Sequence, residues 1–214
     1  AGIGGTGEHA YVGGTLSAIF MNQGQMCVAG SRLLLQDSIY EKFIAILIEK
    51  TKKLKIGDSS APDTDIGALI SKQQQADVLG YIAIGKKEAK LLCGGKVPDG
   101  FAKGFYVEPT IFGEVDNNMR IAQEEIFGPV LSVIKFSSAE DAVTIANDTP
   151  YGLAAMVWTK DLNKAHDVSK KLRCGTVWVN TYGGFYNEAP FGGYKQSGIG
   201  RELGKEGLLE YTET

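Results

Sequence analysis

Histidine is nearly absent from this chain: His9 and His166 are the only two in 214 residues. Cysteine is scarcely richer. Cys27, Cys93 and Cys174 lie far apart, with no Cys-x-x-Cys pair. A zinc site needs four clustered ligands, or three plus water, so this ligand arithmetic argues against a bound metal. An odd, sparse set of cysteines is no disulfide framework either. It fits a reducing compartment, with the cytoplasm as the expected location. Positive charge is not in excess: 22 Lys and Arg against 25 Asp and Glu leave a net charge of −3. Nucleic acid is therefore not an expected partner. No apolar run approaches the ~20 residues that span a bilayer, so no membrane partner is expected. The N-terminus has no basic stretch leading into a hydrophobic one, as a secretory signal would. What remains is ordinary for a globular protein, 43% hydrophobic and 22% charged, and long enough for one substantial core.

Within that composition, helical and strand patterns alternate. Val12, Leu16, Ile19 and Phe20 share one helical face, which predicts a helix ending near Met21. "RLLLQ" (32–36) suits a buried strand. Asp37 and Ser38 are candidate caps for a following helix with an apolar stripe of Ile39, Phe43, Ile46, Leu47 and Leu54. A polar loop, "GDSSAPDTD" (57–65), precedes a helix over about 71–89, and "KLLC" (90–93) reads as a strand ended by Gly94-Gly95. In the second half, "VLSVIKF" (130–136), "LAAMVW" (153–158) and "GTVWVN" (175–180) read as strands. Helices over 138–148, capped by Ser138, and over about 161–173 separate them. Strands alternating with helices of this length predict an α/β fold, a mainly parallel sheet with helices on both faces. Residues 181–200 hold six glycines and scattered aromatics without period. A loop that long inside a compact domain is usually functional.

Two phosphate-binding patterns fail on context. "GIGGTG" (2–7) has dinucleotide glycine spacing, but only Ala1 precedes it where a strand is required, so a linker or scar covering residues 1–9 is the better reading. "GYIAIGKK" (80–87) has Lys87 where a magnesium-binding Ser or Thr must stand, and it lies in a helical pattern. Cys27 is different. It sits in "NQGQMCVAG" (22–30), a polar, glycine-bearing turn rather than an apolar run. A thiolate nucleophile needs access and backbone N–H groups nearby, which such a turn supplies. A buried free thiol is the equally weighted alternative on composition alone. Cys93, ending an apolar strand, and Cys174, between helix and strand, read as packing. "AQEEIFGPVL" (122–131) reads by itself as a solvated helix end breaking into a strand.

Taken in order, "FMNQGQMCVAGSR", "AQEEIFGPVL", "NDTPYGLAAMVWTKD", "GTVWVNTY" and "APFGGYKQSGIGRELGKEGLLEYTE" resemble the cysteine-bearing catalytic part of the NAD(P)-dependent aldehyde dehydrogenases. The resemblance runs from about residue 12 to 214 and looks nearest to bacterial broad-specificity and betaine-aldehyde-type members. It implies that residues 10–214 form the catalytic α/β domain. The implied activity is oxidation of a small aldehyde to its acid with NAD or NADP. Cys27 would attack the aldehyde carbon, giving a thiohemiacetal and then a thioester. Glu125 would hold the nicotinamide ribose, Phe127 would pack beside the same end of the cofactor, and Gln74 would also reach it. Phe20, Phe185 and Phe191 match aromatic positions of the substrate tunnel, and Met21 replaces an aromatic there. The family's nucleotide-binding domain, its general-base glutamate, its oxyanion asparagine and its oligomerisation strand have no counterpart in these residues. The resemblance therefore implies a homo-oligomeric parent enzyme and little dehydrogenase activity in this chain alone. The alternatives are a cofactor-independent esterase acting through Cys27, or an inert folded fragment.

Overall fold

The computed structural model describes residues 8–213, and the side chains from residue 10. The glycine pattern at residues 2–7 lies outside them. Two compact units are described, one ending at Ser137 and the other beginning at Ser138.

The first unit contains α1 (Glu8–Phe20), β1 (Arg32–Gln36), α2 (Tyr40–Thr51), α3 (Lys72–Glu88), β2 (Lys90–Cys93), β3 (Thr110–Gly113), α4 (Arg120–Gln123) and β4 (Val130–Phe136). Its sheet runs β1-β4-β3-β2, with β1, β4 and β3 mutually parallel and β2 antiparallel at the edge. β4 is hydrogen-bonded on both sides, and residues 130–134 are all buried. That explains its unbroken apolar run, because a central parallel strand is covered on both faces. The alternation of side chains assigns the cover. Ile111, Leu131 and Val133 pack with Val12, Ile19, Phe43 and Leu47 of α1 and α2. Phe112 points the other way, where its ring lies against Gly85 of α3. Ser132, on that same side, donates from Oγ to the Ile121 carbonyl of α4 at 2.9 Å. Helices thus flank the sheet on both faces, as expected.

β3 is the strand the periodicity did not reveal. "TIFG" is four residues long and follows a proline, so it offers too little pattern to read. Tertiary burial makes it a strand: all four residues are buried between β4 and β2. Asp37 and Ser38 also depart from expectation. They form a 3₁₀ turn (Asp37–Ile39) and make no side-chain cap, so α2 starts at Tyr40 and the exposed Ile39 leaves the stripe. Ser71 does cap α3, accepting from Gln74 N–H at 3.1 Å. The discarded Walker-like segment lies inside that helix.

The second unit contains α5 (Ala139–Asn147), β5 (Tyr151–Gly152), β6 (Ala154–Val157), α6 (Leu162–Lys171), β7 (Thr176–Val179), β8 (Tyr194–Lys195) and α7 (Gly204–Leu209). β6 and β7 are parallel, joined through α6. The expected cap forms at Ser138, which accepts from Asp141 N–H, and α6 is capped by Asp161, which accepts from Lys164 N–H. The glycine-rich stretch 181–200 is more ordered than its sequence implies. Tyr194–Lys195 pairs antiparallel with β5, and Phe191 exchanges two 2.7 Å backbone hydrogen bonds with Glu202.

Candidate active site

The turn carrying Cys27 begins with three successive left-handed residues, Asn22 (φ 50°), Gln23 (φ 58°) and Gly24 (φ 71°). For residues with a Cβ this costs about 1–2 kcal/mol each, so something must hold them. The Gln25 N–H donates to the Asn22 carbonyl at 3.0 Å. Two glutamine side chains then tie the turn to residues 67–70. Gln25 Oε1 accepts from Ile70 N–H at 3.0 Å. With its amide oriented to satisfy both neighbours, Gln23 accepts from Gly67 N–H at 3.0 Å and donates to the Asn22 carbonyl at 3.2 Å. Beyond the cysteine, Gly30 N–H donates to the Ala18 carbonyl of α1 at 2.9 Å, and Val28 is buried. Anchored on both sides, Cys27 itself is exposed and free.

The other two thiols behave as packing groups. Cys93 sits in the core cluster, and burial pushes its pKa from 9.0 up to about 11. Cys174 is also raised by burial and directs its sulfur to the Thr176 carbonyl.

Gly24 is where the cysteine turn meets the loop between α4 and β4. A Cβ at Gly24 would lie 2.1 Å from the Gly128 carbonyl oxygen, so the two backbones touch there. Gly128 in turn lies against Val78 of α3, where a Cβ would fall 2.5 Å from Cγ2. This loop presents Glu125 and Phe127 outward and buries Ile126 between them. Together with Gln74, Tyr81 and Arg120 they line an open pocket of about 500 Å³. Glu124, at the loop's start, receives two hydrogen bonds from the Arg120 guanidinium at 2.7 and 2.8 Å and one from Tyr81 Oη at 2.8 Å. The Arg120 and Tyr81 donors hold its carboxyl down to about 2.

The structure therefore places Cys27, Gln74, Glu125 and Phe127 in one unit, linked through Gly24 and Gly128. Gln74 lines the same pocket, and its Nε2 donates to the Ile126 and Phe127 carbonyls at 3.1 and 2.9 Å. Phe20 is a core residue, 3% exposed, beneath the turn, whereas neighbouring Met21 is half exposed. Phe185 and Phe191 belong to the second unit, where their rings meet edge to face at 5.1 Å. Trp178 adds an edge contact to Phe185 at 5.5 Å and donates from Nε1 to the Gly184 carbonyl at 2.8 Å. Sequence reasoning missed Gln23 and Gln25 as ties, and Arg120 with Tyr81 as the anchor of Glu124. Two glutamines flanking one glycine was the available signal for the first. The second had only the i,i+4 spacing of Arg120 and Glu124.

The chain is 51% identical over 201 residues to betaine aldehyde dehydrogenase of Bacillus subtilis, spanning 92% of this chain and 41% of that protein. Human mitochondrial aldehyde dehydrogenase is 49% identical over 197 residues, 92% of this chain and 38% of the relative. Among solved structures, betaine aldehyde dehydrogenase of Staphylococcus aureus in complex with NAD+ superposes with a TM-score of 0.92 at 46% identity, covering 94% of this chain and 40% of that one. The aldehyde dehydrogenase KauB of Pseudomonas aeruginosa gives 0.93 at 53% identity, with coverage of 97% and 42%. The chain thus spans about two fifths of the length of the relatives it matches. The profile of the aldehyde dehydrogenase family matches residues 8–214, and the chain belongs to that family.

Proposed function

We propose that this chain supplies the nucleophile and the nicotinamide-end contacts for oxidation of an aldehyde to a carboxylic acid with NAD. The observation that carries the reading is the contact of Gly24 with Gly128, which joins the turn bearing an exposed thiol to the loop bearing Glu125 and Phe127. Cys27 Sγ attacks the aldehyde carbon as thiolate, forming a C–S bond while the carbonyl electrons pass to oxygen. The Cys27 backbone N–H would donate to that oxyanion, and such donors are worth several kcal/mol in transition-state stabilisation. The donor set fits a nicotinamide ribose: the Glu125 carboxylate is an acceptor for ribose hydroxyls, and the Phe127 ring offers an apolar face in the same pocket. NAD, when bound, would supply the acceptor for the hydride. Hydrolysis of the resulting thioester would release the acid and the thiol. Betaine aldehyde is the favoured substrate class on the relatives' names.

Two measurements on the chain test this. p-Nitrophenyl acetate should release a burst of one equivalent of nitrophenolate, absent in Cys27→Ala. NADH fluorescence should report binding that weakens about tenfold in Glu125→Ala, the loss of one charged hydrogen-bond acceptor. An equal burst from Cys27→Ala would remove Cys27 from the nucleophile's role.

A further inference from the structure

Phe127 combines three features that a surface loop residue does not need together. It is an aromatic residue in the left-handed region, at φ 55°. The residue is 39% exposed, so packing covers only part of it. Both carbonyls flanking it, those of Ile126 and Phe127, accept from the single Nε2 of Gln74, at 3.1 and 2.9 Å. One amide group carries two N–H donors, and here both are committed to successive carbonyls of one loop. The grip belongs to a larger arrangement on α3. Gln74, Val78 and Tyr81 are spaced i, i+4 and i+7, which places them on one helical face. That face meets the loop at three points. Gln74 holds Phe127, Val78 backs Gly128, and Tyr81 donates to Glu124.

We propose that Gln74 is a positioning residue: its amide holds Phe127 in the left-handed conformation and so sets the ring and the adjacent Glu125 carboxylate at the pocket. The proposal rests on the reading of Glu125 and Phe127 as the nicotinamide-end contacts. With the donor removed, the loop relaxes toward an extended Phe127, which turns the ring away from the pocket it lines. Because Gln74 spends its donors on the loop, its effect on the cofactor is exerted through Phe127.

The test uses the chain labelled with 4-fluorophenylalanine, with the Phe127 ¹⁹F resonance assigned by its loss in Phe127→Leu. Gln74→Ala should shift or broaden that resonance and weaken NADH binding about tenfold, as expected for losing the net worth of these hydrogen bonds. Gln74→Glu keeps the shape, so the fold is retained. It faces two carbonyls with a carboxylate at neutral pH. As the pH falls through the ordinary glutamate range, about 4.3, the neutral acid regains one O–H donor. The wild-type ¹⁹F position should then return in the Glu variant and not in the Ala variant, a titration that mere packing would not produce. An unchanged Phe127 resonance in Gln74→Ala, or a Gln74→Glu spectrum without this titration, overturns the proposal. If wild type binds no NADH, the cofactor reading falls, and the ¹⁹F spectra still decide the clamp.

Discussion

Gly24→Ala is the substitution that strikes where the two functional loops meet. Two costs combine. The native φ of 71° is disfavoured by about 1–2 kcal/mol once a Cβ is present. The new methyl would also lie 2.1 Å from the Gly128 carbonyl oxygen, 2.5 Å from its carbon and 3.1 Å from the Ile19 carbonyl oxygen. Gly128 cannot simply retreat, because its own backbone is set against Val78. Overpacking of this kind costs about 1–3 kcal/mol, so the total is about 3 kcal/mol. Both tryptophans, Trp158 and Trp178, lie beyond Ser137, so neither reports from within this unit. Native-state hydrogen exchange does. The slowest amides of β4 should lose about a hundredfold of their protection, the equivalent of that free energy. Gly13→Ala is the matched control: nothing lies within 4 Å of its Cβ, and in the middle of α1 it should stabilise by up to about 1 kcal/mol. Wild-type protection of β4 in Gly24→Ala would refute the contact between the two loops.

Iodoacetamide at pH 8 should modify Cys27 first, as mapped by peptide mass spectrometry. Cys93, raised from 9.0 to about 11, holds about a hundredfold less thiolate than an ordinary thiol, so its labelling before Cys27 would contradict the assignment. Glu124 is held at about 2 against an ordinary 4.5, so the stability from its pairing is present in full above pH 4.5 and disappears as pH falls toward 2. In Tyr81→Phe its NMR titration midpoint should rise; a stationary midpoint would deny the tyrosine its role. Ser138→Ala removes the acceptor for Asp141 N–H and should cost about 1 kcal/mol, seen as faster exchange of amides 139–147. Exchange at the wild-type rate there would show that α5 does not depend on this cap.

Local signals were sufficient wherever a residue's role depends on its near neighbours. Ser71, Ser138 and Asp161 cap helices as short-range rules require, and the apolar run of β4 announces a strand covered twice. The polar setting of Cys27 raised a nucleophile without deciding for it, and the ordered blocks around it supplied the family. Tertiary structure decided what the local pattern left equal. "TIFG" is a central strand because β4 and β2 bury it, not because of its own pattern. Ser38 looks as good a cap as Ser138, yet the chain turns through a 3₁₀ segment there and no cap forms. Gln74 became a clamp only when folding brought two carbonyls more than 50 residues away onto its amide. Periodicity and capping act within a few residues, so they are written in sequence. The contact of Gly24 with Gly128 joins positions about a hundred residues apart, and only tertiary packing brings them together.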